Sequence, residues 1–240
     1  MTPARRVVAE ALGTAFLLAV VVGSGIMGER LADGNVAIAL LANSLATGAG
    51  LIALIFMFGP VSGAHFNPVV TLSQAWQKNM SAAEVAPYIA AQIIGAFAGV
   101  AAAHLMFGEA LFFASEHSRS GGAQWWSEFI ATFGLLAVII GSSRTRPSVT
   151  PFAVAAYITA AYWFTSSTSF ANPAVTLARA ASNTFAGIRP LYTPGFILAQ
   201  LAGAGAATLC FCWLYPACSP ACPPASPPEV PEAPQSKLSA

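Results

Sequence analysis

Asn67-Pro68-Val69-Val70-Thr71-Leu72 and Asn172-Pro173-Ala174-Val175-Thr176-Leu177 decide how this chain is read. Asn is a preferred N-cap, and Pro suits the first helical position because its missing N–H would be unpaired there anyway. Each hexapeptide therefore predicts a helix start. Both sit in short, punctuated stretches, about 59–73 and 168–183. A spanning helix takes about 20 apolar residues, so neither stretch crosses a bilayer. Ten or so residues of helix rise only about 15 Å, half a hydrocarbon core. Two such half-helices from opposite faces would meet tip to tip at the midplane. Their N-termini would bring two partial positive charges together, repelling cations, with the Asn67 and Asn172 amides as donors to a neutral hydroxyl-bearing solute. Irregular backbone at that depth is tolerated only where it lines a watery cavity. Carbonyls of Gly63, Ala64, His65 and Phe66, and of Thr168, Phe170 and Ala171, would form acceptor ladders along it.

The surroundings of the two stretches support a membrane setting. Of 240 residues, 56% are hydrophobic and 8% charged, with a net charge of +1. Soluble chains carry roughly 25% charged residues. Six long apolar runs follow one another: about Val7 to Met27, Val36 to Phe58, Val85 to Phe107, Trp125 to Gly141, Thr150 to Ser166 and Thr193 to Tyr215. The predicted fold is all-α and polytopic, with six spans and two re-entrant half-helices. The near-neutral charge gives no basic field for nucleic acid, so the bilayer is the expected environment and nucleic acid is excluded as a partner. The first run follows Arg5 and Arg6 and outlasts a signal-peptide core, so no cleavable signal is expected. Placing the N-terminus in the cytoplasm puts Arg5, Arg6, Lys78, Arg144, Arg146 and Lys237 inside, against Arg30, Arg119, Arg179 and Arg189 outside. The positive-inside rule favours that orientation by six to four, with both termini cytoplasmic. Eight prolines between Pro216 and Pro234 cannot continue a helix, so 216–240 reads as a disordered cytoplasmic tail after a channel domain at 1–215.

The halves repeat. Glu10 and Thr14 have counterparts in Glu128 and Thr132, the Asn-Pro hexapeptides match each other, and Gln92 to Ala96 matches Gln200 to Ala204. The offsets are 118, 105 and 108 residues, so order is kept while loop lengths vary. Three spans per half, about 5–107 and 125–215, make the repeat inverted in the membrane. Inverted repeats put a site at the midplane, between discontinuous helices.

Ser62 to Thr71 and Ser169 to Leu177 resemble the two signature loops of the aquaporin family, the major intrinsic proteins. The resemblance extends over about residues 5–215, with Val69 standing where Ala is usual. It implies six tilted helices, one pore per subunit, a homotetramer, and Glu10 and Glu128 as structural acceptors for the re-entrant loops. It also places a four-residue selectivity filter. Counting from the signature Asn residues gives Thr47, where an aromatic is usual, then Ala160, Ser169 and Val175, where the family nearly always has Arg. Val for Arg and Thr for an aromatic remove bulk, charge and donors, so a wide, weakly polar filter is expected. The pattern resembles a bacterial, inner-membrane subset linked to arsenic resistance. The implied cargo is small and neutral: arsenite as As(OH)3 and methylated arsenicals, with glycerol and water as further candidates. Arg179, four residues after Val175, lies on nearly the same helix face. Helix side chains lean toward the N-terminus, so Arg179 is a candidate to hang back over the vestibule and partly replace the missing filter charge. A snorkelling or loop-bracing arginine is the plainer alternative.

Other chemistries find less support. His65, His104 and His117 are too scattered for a metal site, and no cofactor is expected. No His follows His117, which removes the Ser/His pairing an intramembrane protease needs. His65 is read as a local loop partner or a pH gate. Gly13, Gly48, Gly95, Gly99, Gly203 and Gly205 read as close helix crossings. The tail thiols Cys218 and Cys222 read as inert or as an arsenic or lipid-anchor site. The rival function is a secondary transporter in which Glu10 or Glu128 carries a coupling proton.

Overall fold

The computed structural model describes residues 1–215; the tail, with Cys218, Cys222 and Lys237, lies outside the described residues. The architecture is all-α. In chain order the helices are α1 (Pro3–Leu31), α2 (Val36–Ser62), α3 (Pro68–Trp76), α4 (Ala82–Phe107), α5 (Gly122–Thr145), α6 (Thr150–Phe164), α7 (Pro173–Arg179) and α8 (Thr193–Leu214). Their ends follow local chemistry. Asn35 caps α2 by accepting from the Ala37 and Ile38 N–H groups. Ser81 and Glu84 close a reciprocal capping box on α4. Gly63 and Gly108 terminate α2 and α4 in the left-handed conformation.

Five helices, α1, α2, α4, α5 and the stretch ending in α8, are long and apolar enough to cross a membrane. The expected fifth span departs from this. It is α6, a helix of 15 residues entered through a 3-10 turn at Pro147–Val149, which reaches only about 22 Å at 1.5 Å per residue. Side chains at Ile94, Leu105, Leu198, Leu209 and Trp213 are exposed, as a lipid-facing surface requires. Trp76, Trp125, Trp126, Trp163 and Trp213 all fall within five residues of a helix end, where their amphipathic rings suit the interface.

The core forms where α1 crosses α4 and where α5 crosses α8. A Cβ on Gly95 would collide with the Ala11 carbonyl, and one on Gly203 with the Phe129 carbonyl. Small residues here let two backbones touch. Gly13 instead makes room for the Phe66 ring, and Gly48 for Thr159. Gly205 corrects the expectation made for it, since a Cβ there meets nothing within 4 Å. The half-helices α3 and α7 have 9 and 7 residues, about 13 and 10 Å long, and pack between the long helices.

Candidate functional site

The two half-helices are joined by their caps. Asn67 Oδ1 accepts from the Val69 N–H at 3.1 Å, and Asn172 Oδ1 accepts from Ala174 and Val175 at 3.0 and 3.3 Å. The amide groups reach across to the other half. Asn67 Nδ2 donates to the Ala171 carbonyl and Asn172 Nδ2 to the Phe66 carbonyl, both at 2.8 Å. Each side-chain amide has two N–H donors, so each Asn keeps one for the lumen it lines.

The loops leading into these caps are strained in the same way. Ala64, Phe66, Thr168, Ser169 and Ala171 all have φ between +48° and +61°. Such non-Gly residues cost roughly 1–3 kcal/mol each and persist only when their surroundings over-determine them. Two buried carboxylates supply that. Glu10 accepts from Ser62 Oγ at 2.6 Å, the His65 and Phe66 N–H groups at 3.0 and 2.7 Å, and Gln92 Nε2 at 2.7 Å. Glu128 accepts from the Phe170 and Ala171 N–H groups at 2.9 and 2.8 Å and from Gln200 Nε2 at 2.6 Å. Bonds to a charged acceptor contribute roughly 1.5–3 kcal/mol each, enough to offset the strain. Both glutamates are fully buried and neither lines the lumen. The amides that grip them also touch the half-helices, Gln92 at Thr71 Oγ1 and Gln200 at Thr176 Oγ1, each at 2.9 Å.

A cavity of about 130 Å³ runs past both caps, room for several waters. Its walls come from α1, α2, α3, α5, α6, α7 and the two loops; α4 and α8 contribute nothing. Leu17, Leu51, Leu135, Ile139, Val154 and Ile158 make the walls largely apolar. Along them, the carbonyls of Gly63, Ala64 and His65, and of Ser169 and Phe170, receive no hydrogen bond from a donor among the described residues. His65 lines the opposite end from Arg179, with Nδ1 3.1 Å from Thr71 Oγ1.

Of the expected filter residues, Thr47, Ser169 and Val175 meet at one end of this cavity. Ala160 does not join them. It is exposed on the far face of α6, because Val154, Ile158 and Tyr162 occupy the inward face at intervals of four. A position two residues away points about 200° around the helix. Counting back from Asn172 fixed a chain distance, whereas helix phase fixed the wall. Tyr162 takes the place instead, with its hydroxyl 3.2 Å from Thr47 Oγ1. Thr168 is also outside the lining, its hydroxyl lying 3.4 Å from Arg119 Nη1. Pro68, Val69, Pro173 and Ala174 are buried behind the caps, so Val for Ala at 69 does not alter the lumen wall.

Arg179 lines the Thr47 end of the cavity and is only 2% exposed. Its Nε donates to the Ala186 carbonyl, and its guanidinium carbon stands 3.4 Å from the centre of the Phe170 ring. No carboxylate pairs with it; the ion pairs among the described residues are Arg6–Glu84 and Arg30–Glu109. The aromatic face contributes about 0.5–2 kcal/mol and the C-terminal end of α7 about 0.3–1 kcal/mol. Burying a charge costs several kcal/mol, so the compensation is partial. A second cation, Arg119, lies 5.2 Å from the same ring. Arg119 is a loop residue that sequence reasoning missed, since it sits in no periodic pattern. It donates to the Gly187 and Ser167 carbonyls at 2.8 and 3.2 Å, and burial lowers its pKa from the usual guanidinium value.

Known proteins share this architecture. A profile of the family described as "Major intrinsic protein" matches residues 1–165. The chain is 53% identical over 210 residues to aquaglyceroporin AqpS of Rhizobium meliloti (strain 1021), covering 88% of this chain and 90% of that one. It is 32% identical over 214 residues to aquaporin NIP1-3 of Oryza sativa subsp. japonica, covering 86% and 73%. The X-ray structure of the aquaglyceroporin from Plasmodium falciparum superposes with a TM-score of 0.66 at 19% identity, over 89% of this chain and 96% of that one. That likeness concerns the fold.

Proposed function

We propose, from the premise that this chain belongs to the major intrinsic protein family, that it is a passive channel for small uncharged solutes, with a filter wide enough for hydroxy compounds larger than water. Metalloid acids such as As(OH)3 and methylated arsenicals lead, with glycerol and water alongside. The observation that carries this reading is Val175. It lines the lumen one turn into α7, beside Thr47 and Ser169, with an apolar side chain that neither donates nor narrows by charge. A solute with several hydroxyls matches the rest of the wall, since free carbonyls accept along one stripe and the apolar remainder accommodates its carbon or arsenic face. The name of the Rhizobium relative, an aquaglyceroporin, agrees with this solute class. Glu10 and Glu128 act as braces for the loops, and Asn67 and Asn172 as the paired donors at the centre.

The same reading extends to orientation and assembly. Arg6 pairs with Glu84, and Arg144 bonds Gln77 at 2.7 Å, so the starts of α1 and α4 and the ends of α3 and α5 share one side. We assign that side to the cytoplasm and the Arg179 end to the exterior, in a bacterial inner membrane. The functional unit is taken as a homotetramer with one pore per chain.

Stopped-flow light scattering on proteoliposomes tests the reading, comparing wild type with Val175→Arg for water, glycerol and arsenite. Wild type passes all three, and the substitution abolishes glycerol and arsenite flux while sparing water. Passage of water alone by wild type overturns the solute assignment.

A further inference from the structure

The lumen contains a cation without a counter-ion. Arg179 is buried, its one hydrogen bond runs from Nε, and among the described residues no protein acceptor reaches its terminal nitrogens. Around it the lining offers hydroxyl donors and no carboxylate, beside the free carbonyls of Ser169 and Phe170. Ser169 is 3% exposed, and its Oγ is buried without a hydrogen-bond partner. The Tyr162 hydroxyl shares one contact with Thr47 Oγ1; when Thr47 donates, the phenol proton is free for a ligand. The carboxylates of the two halves are turned away and held by backbone N–H groups. Arg119, 5.2 Å from the centre of the same Phe170 ring, adds positive potential nearby.

We propose that this end of the lumen is a binding station for a small planar monovalent oxyanion of the size of nitrate or formate, and that the bound anion blocks the pore. A planar oxyanion matches the guanidinium fork with two parallel bonds, and Ser169 and Tyr162 donate to its remaining lone pairs. The anion goes no further. Beyond Val175 the lumen offers a charge one N–H from each of Asn67 and Asn172 and otherwise the apolar side chains of Leu135, Ile139 and Ile158, and a charge leaving its guanidinium for such surroundings loses its charged partner and most of its water. A stationary anion then stands in the path of every neutral solute. Only the flux readout of this proposal rests on the channel reading above.

The test uses the full chain in proteoliposomes. Glycerol flux is measured in sodium nitrate and in sodium gluconate, whose anion is too bulky to enter, at equal osmolarity and ionic strength. Wild-type flux falls about tenfold once nitrate reaches ten times its Kd. The ratio of the two fluxes in Arg179→Gln is close to one. In parallel, nitrate raises the thermal midpoint of detergent-solubilised wild type and leaves that of Arg179→Gln unmoved. Equal slowing in both proteins, or no nitrate effect on either flux or midpoint, overturns the station. Nitrate uptake driven by a membrane potential overturns the block. If wild type carries no glycerol, the solute assignment fails, and the thermal shift alone decides the station.

Discussion

Replacing Glu128 by Gln changes one heavy atom and threatens the whole second loop. The carboxylate holds the Phe170 and Ala171 N–H groups on separate oxygens, with Gln200 on one of them. An amide offers one oxygen and turns an NH2 toward the other N–H. One buried backbone donor is left unpaired, at roughly 1–3 kcal/mol, and two surviving bonds fall from charged to neutral strength, losing about 1 kcal/mol each. The expected loss is about 3–5 kcal/mol, on the order of 10 °C in thermal midpoint for a domain of this size. Ser169 and Ala171 are then free to leave their left-handed conformations, which displaces Asn172 and lowers glycerol flux. Glu10→Gln should cost more still, because Ser62 Oγ adds a fourth donor. Midpoints by thiol-reactive dye fluorescence and flux by light scattering read both effects. A midpoint shift under 2 °C with unchanged flux refutes the bracing role. A proton-gradient dependence of wild-type flux that vanishes in the variant would instead make Glu128 a coupling carboxylate.

Two further outcomes follow from close contacts and helix phase. Gly95→Ala and Gly203→Ala each drive a methyl into a backbone carbonyl of the crossing helix and should lower the midpoint by the 1–3 kcal/mol or more of overpacking, whereas Gly205→Ala, with open space around it, should change nothing; similar effects in all three would refute the crossing geometry. Ile158→Trp should stop glycerol, since that side chain faces the lumen, while Ala160→Trp on the exposed face of α6 should leave flux intact, and loss of flux in the second would restore Ala160 to the filter.

What could be read before the structure was what local chemistry decides. The Asn-Pro starts are cap preferences acting over three residues, and Asn67 and Asn172 do cap α3 and α7. Long apolar runs announced the spans, yet the fifth is a short helix because Pro147 and Pro151 break and restart the chain near its beginning. Ala160 was misplaced because a count along the chain ignores which way a helix faces. Tyr162 had a signal that went unused, its spacing of four and eight from Ile158 and Val154. Arg119 had none: a loop residue brought to Phe170 by tertiary folding leaves no mark in periodicity. That the Asn amides would reach across to the opposite loop was equally invisible, since it depends on two segments a hundred residues apart.

That crossed pairing sets a timetable for biogenesis. The acceptor of Asn67 is the carbonyl of residue 171, which is 104 positions downstream. At about 5–20 residues per second, ribosomes take roughly 5–20 s to make it. Through that interval the first re-entrant segment has its glutamate brace, since Glu10 is already made, but no partner for its tip. The first half therefore waits in the translocon or the bilayer with an open polar end. The late-made second half is what closes it, so a chain truncated before residue 171 leaves a membrane-embedded fragment with an unpaired amide at its centre.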